Sequence, residues 1–184
     1  MIGEVSPGLL LILGALVIPL LRGRLRSAYM LMLPVLAFAH LLALPHGELG
    51  KVQLFDLPLT TLRVDRLSLL FGYIFLIAAL LGVIYALHVQ DTLQHVAALV
   101  YAGSALGAIF AGDLVTLLIF WEGIALASAF LIWAARNERA FGAGMRYLIV
   151  HIGSGVLLLA GVLLHYKQTG SLAFGALGLG SPGT

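Results

Sequence analysis

The chain has 184 residues, 61% of them hydrophobic and only 10% charged, and a formal net charge of +2. A soluble domain is about 45–50% apolar and about 25% charged, so the apolar excess cannot be hidden inside so short a chain and calls for lipid as its solvent. The sequence has no cysteine, which excludes disulfides, thiolate metal sites and cysteine nucleophiles, and the ten basic residues are scattered between apolar runs, reading as topology determinants rather than as a nucleic-acid patch.

A membrane-spanning helix needs about 20 mostly apolar residues, and six segments reach or approach that length. The first, 5–21, contains Pro7 and Pro19. No basic region precedes it and no small-residue cleavage site follows, so it is expected as a retained helix, not a signal peptide. The second, 28–44, contains Pro34. A long connection, 45–66, carries Lys51, Asp56 and Pro58. Its alternating run 57–64 suggests a short surface hairpin, since an open strand cannot face hydrocarbon. The third helix, 67–87, has no charge. The fourth, 96–112, carries Gly103, Gly107 and Ala111 at four-residue spacing, which suits close approach of another helix. The fifth, 114–135, is interrupted only by Glu122, and the sixth, 147–164, only by His151. The tail after Lys167 is glycine-rich. Its run 175–180 has no preceding strand and no basic residue to serve a phosphate, so it reads as an interfacial linker.

Arg22, Arg24, Arg26, Arg136, Arg139 and Arg146 fall in or beside the first and fifth connections, against Lys51, Arg63, Arg66 and Lys167 on the other side. This bias in short loops predicts a cytoplasmic arginine side and both termini outside. Tyr29, Tyr85, Trp133 and Tyr147 would mark the inner interface and Tyr166 the outer one.

Glu122 is the principal candidate for chemistry. It lies about 12 Å along its helix from Leu114, near mid-membrane, where an acidic side chain costs on the order of 2.5–3.5 kcal/mol on insertion scales. Burial raises a carboxylate pKa and a nearby cation lowers it. A carboxyl held between those influences can load and release a proton near neutral pH; the alternative is a structural carboxyl kept protonated and hydrogen-bonded. His151 is second, because imidazole has the unperturbed pKa of a proton relay, and Ser154 and Gly155 share its face. A depth difference of about 10 Å is expected between Glu122 and His151, leaving room for one or two waters. The alternative for His151 is a hydrogen bond to a neighbouring helix. Asp113 and Asp65 read as helix caps. His40, His88, His95 and His165 read as interfacial, with no metal spacing. Arg146 either tunes His151 or anchors its helix end by snorkelling.

Ordered motifs sharpen this picture. Val64-Asp-Arg-Leu-Ser-Leu-Leu-Phe71 resembles the opening of the third helix in antiporter-like membrane subunits, the superfamily of Mrp-type Na+/H+ antiporters, respiratory complex I and membrane-bound hydrogenases. Ala111-Gly-Asp-Leu-Val-Thr-Leu-Leu-Ile-Phe-Trp-Glu122 resembles that family's signature, and Tyr147-Leu-Ile-Val-His151 and Leu164-His-Tyr-Lys-Gln-Thr-Gly-Ser171 continue the likeness. His88-Val-Gln-Asp-Thr-Leu-Gln-His95 and Tyr101-Ala-Gly-Ser104 look most similar to the D component of Mrp-type antiporters. The resemblance implies an all-α membrane fold whose front part is present here: helices 1–2 and an extracytoplasmic loop over 1–63, then helices 3–6 and the tail over 64–184. The first of two inverted repeats would start near residue 93. It also implies that Glu122 works with a lysine on a seventh helix, which the 184 residues do not include. No lysine is expected inside the six helices, so a longer polypeptide or another chain would supply the rest.

The function expected is a component of a multisubunit monovalent cation/proton antiporter in the cell inner (plasma) membrane. It would carry protons, and Na+ as the candidate counter-ion, through Glu122 and His151, with Asp113 and Arg146 in support. Its partners are other membrane subunits, and it is a transporter rather than an enzyme, with no cofactor. The rivals are a proton-pumping module of an NADH:quinone oxidoreductase or hydrogenase complex, whose redox chemistry lies in other subunits, and a non-conducting scaffold.

Overall fold

Long apolar runs with polar residues at their ends leave the backbone one way to satisfy itself in lipid, which is the helix. A computed structural model describes residues 5–54 and 57–174. It contains α1 (Pro7–Ala15), a 3-10 turn (Ile18–Leu20), α2 (Gly23–Ala43), β1 (Gly47–Leu54), β2 (Leu57–Val64), α3 (Arg66–Ala86), α4 (Thr92–Ile109), α5 (Leu114–Trp133) and α6 (Glu138–Thr169). The glycine run 175–180 lies outside the described residues.

Five helices are long and apolar enough to cross a membrane, and the first segment, Pro7–Leu20, is shorter. Its expected single helix breaks because Pro19 lacks an N–H and its ring clashes with the carbonyl four residues back. That residue is Ala15, where α1 ends. The opposite correction applies to α6. It begins at Glu138, capped by Asn137, and its 32 residues span about 48 Å, well beyond a hydrocarbon core of about 30 Å. The apolar stretch marks only its lipid-embedded part, because a helix need not stop where its charges begin. Lys167 therefore stands within the last turn of α6, contrary to expectation.

The helices run alternately between two ends. At one end, Arg26 of α2 donates to Thr92 Oγ1 at the start of α4 (2.8 Å), and Arg136 after α5 donates to both carboxylate oxygens of Asp91 (3.0 Å). The arginine connections thus share one end. The other end carries the hairpin, with Gly47 opposite Val64 and Lys51 opposite Thr60; the run 57–64 is its second strand.

Within lipid, apolar burial gains little, so close packing has to hold helices together. The central helix is α4, which packs on α1, α3 and α5. At the α1–α4 crossing a Cβ on Gly8 would collide with the backbone of Gly103 and Gly107, and one on Gly103 would meet the Gly8 carbonyl oxygen. The small-residue seam thus receives α1, while Ala111 falls beyond the end of α4. Around it, Leu11, Leu41, Leu76, Leu106 and Phe110 form the buried core. Leu62 and Val64 of β2 join that core, whereas Leu59 packs with Leu114, Val162 and Leu172.

The α4–α5 junction is tied to the hairpin by main-chain bonds, Arg63 N–H to the Phe110 carbonyl (2.7 Å) and Gly112 N–H to the Thr60 carbonyl (3.0 Å). Asp113, only 2% exposed, caps α5 by accepting from the Thr116 amide (2.7 Å) and hydroxyl (2.9 Å), and also accepts from the Thr60 amide (2.7 Å). Leu114 N–H bonds the Leu172 carbonyl (3.0 Å) after α6. Asp65 forms a capping box with Ser68 and pairs with Arg63 at 2.9 Å. The Ser68 amide, then Arg63, hold the Asp65 carboxyl below its ordinary value of 3.8.

Asp113→Ala removes a cap worth about 1 kcal/mol and leaves the half-buried Thr60 amide without its partner, at about 1–3 kcal/mol. Thermal unfolding should show a loss of about 2–4 kcal/mol, and hydrogen exchange should show deprotection of the Thr60 amide. Because the Asp65 carboxyl is held low in the folded state, its stabilisation is complete above the unfolded value and vanishes as pH falls through the folded one. The stability gap between the native chain and Asp65→Ala, about 1 kcal/mol at pH 7, should therefore narrow below pH 3.8.

Candidate functional site

The antiparallel pair α5–α6 is held apart only by glycine. The Glu122 carboxylate lies where a Cβ on Gly155 would stand, and the Trp133 indole lies where a Cβ on Gly144 would stand. The two α5 residues and their two glycine seats are each eleven residues apart, about three helical turns. Side chains on a helix lean toward its N-terminus. This carries the Glu122 carboxylate away from the arginine end and onto α6 at Gly155.

His151 stands one turn before Gly155 on the same face of α6. Its ring is stacked between two aromatic rings, Trp121 at 5.9 Å and 25° and Tyr147 at 5.7 Å and 30°. Trp121 precedes Glu122 on α5, so neighbouring residues of one helix reach successive turns of the other. From the Gly155 seat of the carboxylate to the His151 backbone the offset is four residues of α6, about 6 Å, and the imidazole leans further from that seat, toward Tyr147. The His151 Nε2 is buried and has no hydrogen-bond partner among the described residues. A buried polar atom left unpaired costs about 1–3 kcal/mol, so this nitrogen is suited to a water or a transferred proton.

Glu122 is half-buried at the seam. The two ion pairs among the described residues, Arg63–Asp65 and Arg136–Asp91, lie at opposite ends of the bundle, and neither includes Glu122. Lys167 lies twelve residues beyond Gly155, about 18 Å along α6. Arg146 is exposed and its guanidinium lies back over Gly142, toward the arginine end and away from His151, which is an anchor's position. Ser154 is exposed, and Gly155 rather than Ser154 faces α5. Asp113 is spent at the α5 start and does not reach this seam.

Sequence reasoning placed Gly155 on the His151 face but missed that it seats Glu122, and it missed Trp121 and Tyr147 as neighbours of His151. The spacing of Tyr147, His151 and Gly155 at i, i+4 and i+8 is the signal that could have found Tyr147. His95 also needs correction: it is buried at 4% exposure, with Nε2 2.9 Å from the Val89 carbonyl oxygen, because α4 begins earlier than its apolar stretch. Among the described residues no group of three His, Asp or Glu side chains is placed to hold a metal.

Residues 111–182 match the family model described as the transmembrane part of NADH:quinone oxidoreductase and Mrp antiporters. The chain is 33% identical over 121 residues to the A component of the Na(+)/H(+) antiporter of Alkalihalophilus pseudofirmus, covering 61% of this chain and 15% of that protein. It is 30% identical over 179 residues to a putative antiporter subunit mnhA2 of Staphylococcus haemolyticus, covering 89% and 22%. It is 34% identical over 122 residues to NAD(P)H-quinone oxidoreductase chain 5 of Picosynechococcus, covering 62% and 18%. The chain thus spans a fifth or less of most of these relatives, and the Mrp-type matches are A components where the motifs pointed to the D component. In architecture it resembles a chain of an archaeal membrane-bound sulfane sulfur reductase complex, with a TM-score of 0.76 at 20% identity over 94% of this chain and 39% of that one. It is a multi-pass membrane protein of antiporter-like architecture.

Gly155→Ala would place a methyl group against the Glu122 carboxylate and should cost about 1–3 kcal/mol, as overpacking does. In the Glu122→Ala background the same change should cost little. A thermal-unfolding cycle over the four variants should give a coupling of about 1–2 kcal/mol; additive effects would mean that the two positions do not touch.

Proposed function

We propose that this antiporter-like membrane subunit is a component of a multisubunit monovalent cation/proton antiporter and forms part of its proton-translocation path. Glu122 takes up and releases the proton, and His151 relays it through water toward the arginine end. The observation that carries this reading is the α5–α6 seam. There a carboxylate in mid-helix is seated at Gly155, and the residue one turn before that seat is an imidazole with a buried nitrogen unpartnered among the described residues, an arrangement that bridging waters can connect. Stacking between Trp121 and Tyr147 fixes the imidazole plane, so each ring nitrogen keeps one direction. Asp113 sets where α5 begins and hence the depth of Glu122, and Arg146 anchors α6.

The gathering of Arg22, Arg24, Arg26, Arg136 and Arg139 at one end supports a cytoplasmic assignment for that end, with both chain ends opposite, in the plasma membrane. Division into 1–63 and 64–184, with an inverted repeat starting near 93, accompanies this reading. So does a lysine partner for Glu122 from chain beyond these residues, for which the greater length of the relatives leaves room. A second reading is favoured by the matches to NAD(P)H-quinone oxidoreductase chain 5 and to Hydrogenase-4 component B of Escherichia coli. In it the same seam serves a redox-driven pump, and co-purifying iron–sulfur subunits would distinguish that complex from an antiporter.

In the reconstituted complex, Glu122→Gln should reduce cation-coupled proton transport at least about a hundredfold, within the range for loss of a positioned acid–base group. His151→Phe should slow it less, since water remains beside the site. Undiminished transport by Glu122→Gln would sink the proposal.

A further inference from the structure

Two cavities meet at the arginine end, sharing Met30 and His95. The outer one, about 260 Å³, is polar and basic, lined by Arg24, Arg26 and Ser27 of α2 and by Gln90. The inner one, about 310 Å³, is an apolar groove between Phe75, Ala78, Gly82 and Ala86 of α3 and Ala98 and Ala102 of α4. From Ala86 to Phe75 the groove runs about 16 Å along α3, roughly half of a hydrocarbon core of about 30 Å. Its depth is that of one leaflet.

The outer cavity holds unanswered positive charge. Arg26 uses Nη1 on Thr92 and Nη2 on Gln90, while its Nε is buried without an acceptor among the described residues. Among the described residues neither Arg24 nor Arg26 forms an ion pair, and nearby Asp91 is taken by Arg136. The N-terminus of α2 receives no side-chain cap, because Arg22 occupies that position. Its free amides and positive dipole end add to the arginines, so the local field favours an anion. His95 stands where the polar and apolar compartments adjoin, its ring committed to the Val89 carbonyl.

We infer that the two adjoining cavities bind an anionic phospholipid, with the phosphate on Arg24, Arg26 and Ser27 and one acyl chain lying in the α3–α4 groove. Charge selects the occupant's head and the contiguous apolar groove selects its tail. Basic pockets between spanning helices at a membrane face are suited to such headgroups. A second protein helix would fill the groove and leave the guanidinium groups unanswered. A soluble anion would answer the charge and leave the groove empty. The inference is independent of the role assigned to Glu122, which lies on a different helix pair.

The test is native mass spectrometry of the delipidated chain in detergent, titrated with dioleoylphosphatidylglycerol, dioleoylphosphatidylcholine or glycerol phosphate without acyl chains. One phosphatidylglycerol should be retained at least about tenfold more tightly than phosphatidylcholine, whose choline cation would be set beside Arg24 and Arg26 and offset about one charge-assisted contact, and glycerol phosphate should not be retained. Arg26→Gln should weaken phosphatidylglycerol binding about tenfold by the same measure; should that variant fail to fold, Arg24→Gln, at an exposed position, tests the headgroup instead. Gly82→Leu tests the groove, since a Cβ at Gly82 meets nothing within 4 Å. It should weaken binding while the helical circular dichroism stays unchanged. Equal retention of the two lipids, retention of glycerol phosphate, or native binding by both the headgroup variant and Gly82→Leu would overturn the inference.

Discussion

The carboxylate of Asp113 is the knot on which the placement of α5 depends. It is buried, has no cationic partner among the described residues, and is held by two donors from Thr116 and one from Thr60. A buried carboxylate is tolerable on such terms because both of its oxygens accept hydrogen bonds. The same few residues close the α5 amides, the β2 edge and the segment after α6, through the Leu114–Leu172 bond. Once α5 starts there, Glu122 follows nine residues later, about 13 Å deeper, on the opposite side of the helix from the knot. One acid is spent on structure, and the other is left available for chemistry.

Glycine then decides what Glu122 can touch. In lipid, helices associate through close packing rather than by escaping water, and the two places where α5 side chains sink into α6 are Gly144 and Gly155. A larger residue at Gly155 would push the carboxylate out of the seam. The same principle works at α1–α4, where Gly8, Gly103 and Gly107 bring two backbones together without side chains between them. It is relaxed at α3–α4, where alanines and Gly82 leave an open groove. Small residues thus have two opposite consequences in one bundle, contact and cavity, and only the helix positions tell them apart.

The charges divide between two ends in different ways. At the hairpin end Arg63 is neutralised by Asp65. At the arginine end one arginine finds Asp91, while the α2 arginines gather around a hollow. Charged groups at a membrane face can be solvated by water or headgroups, so an unpaired arginine there is cheap, whereas an unpaired Glu122 in mid-helix is not. This contrast in cost makes Glu122 the informative residue of the chain.

Much was legible in the sequence because the solvent is lipid. Hydrocarbon imposes helices on long apolar runs and makes any embedded acid conspicuous, so five of the six spans, the capping role of Asp113 and the prominence of Glu122 and His151 could be read from residue order alone. The break after Ala15 was also written in Pro19, though counting apolar residues hid it. Three things were decided only by tertiary structure: the seating of Glu122 on Gly155, the stacking of His151 between Trp121 and Tyr147, and the bond from Thr60 to Asp113. The reason is physical. Span and depth follow from one helix in its solvent, whereas contact depends on the rotation, lean and register of two helices, which are settled by where glycine lets them meet.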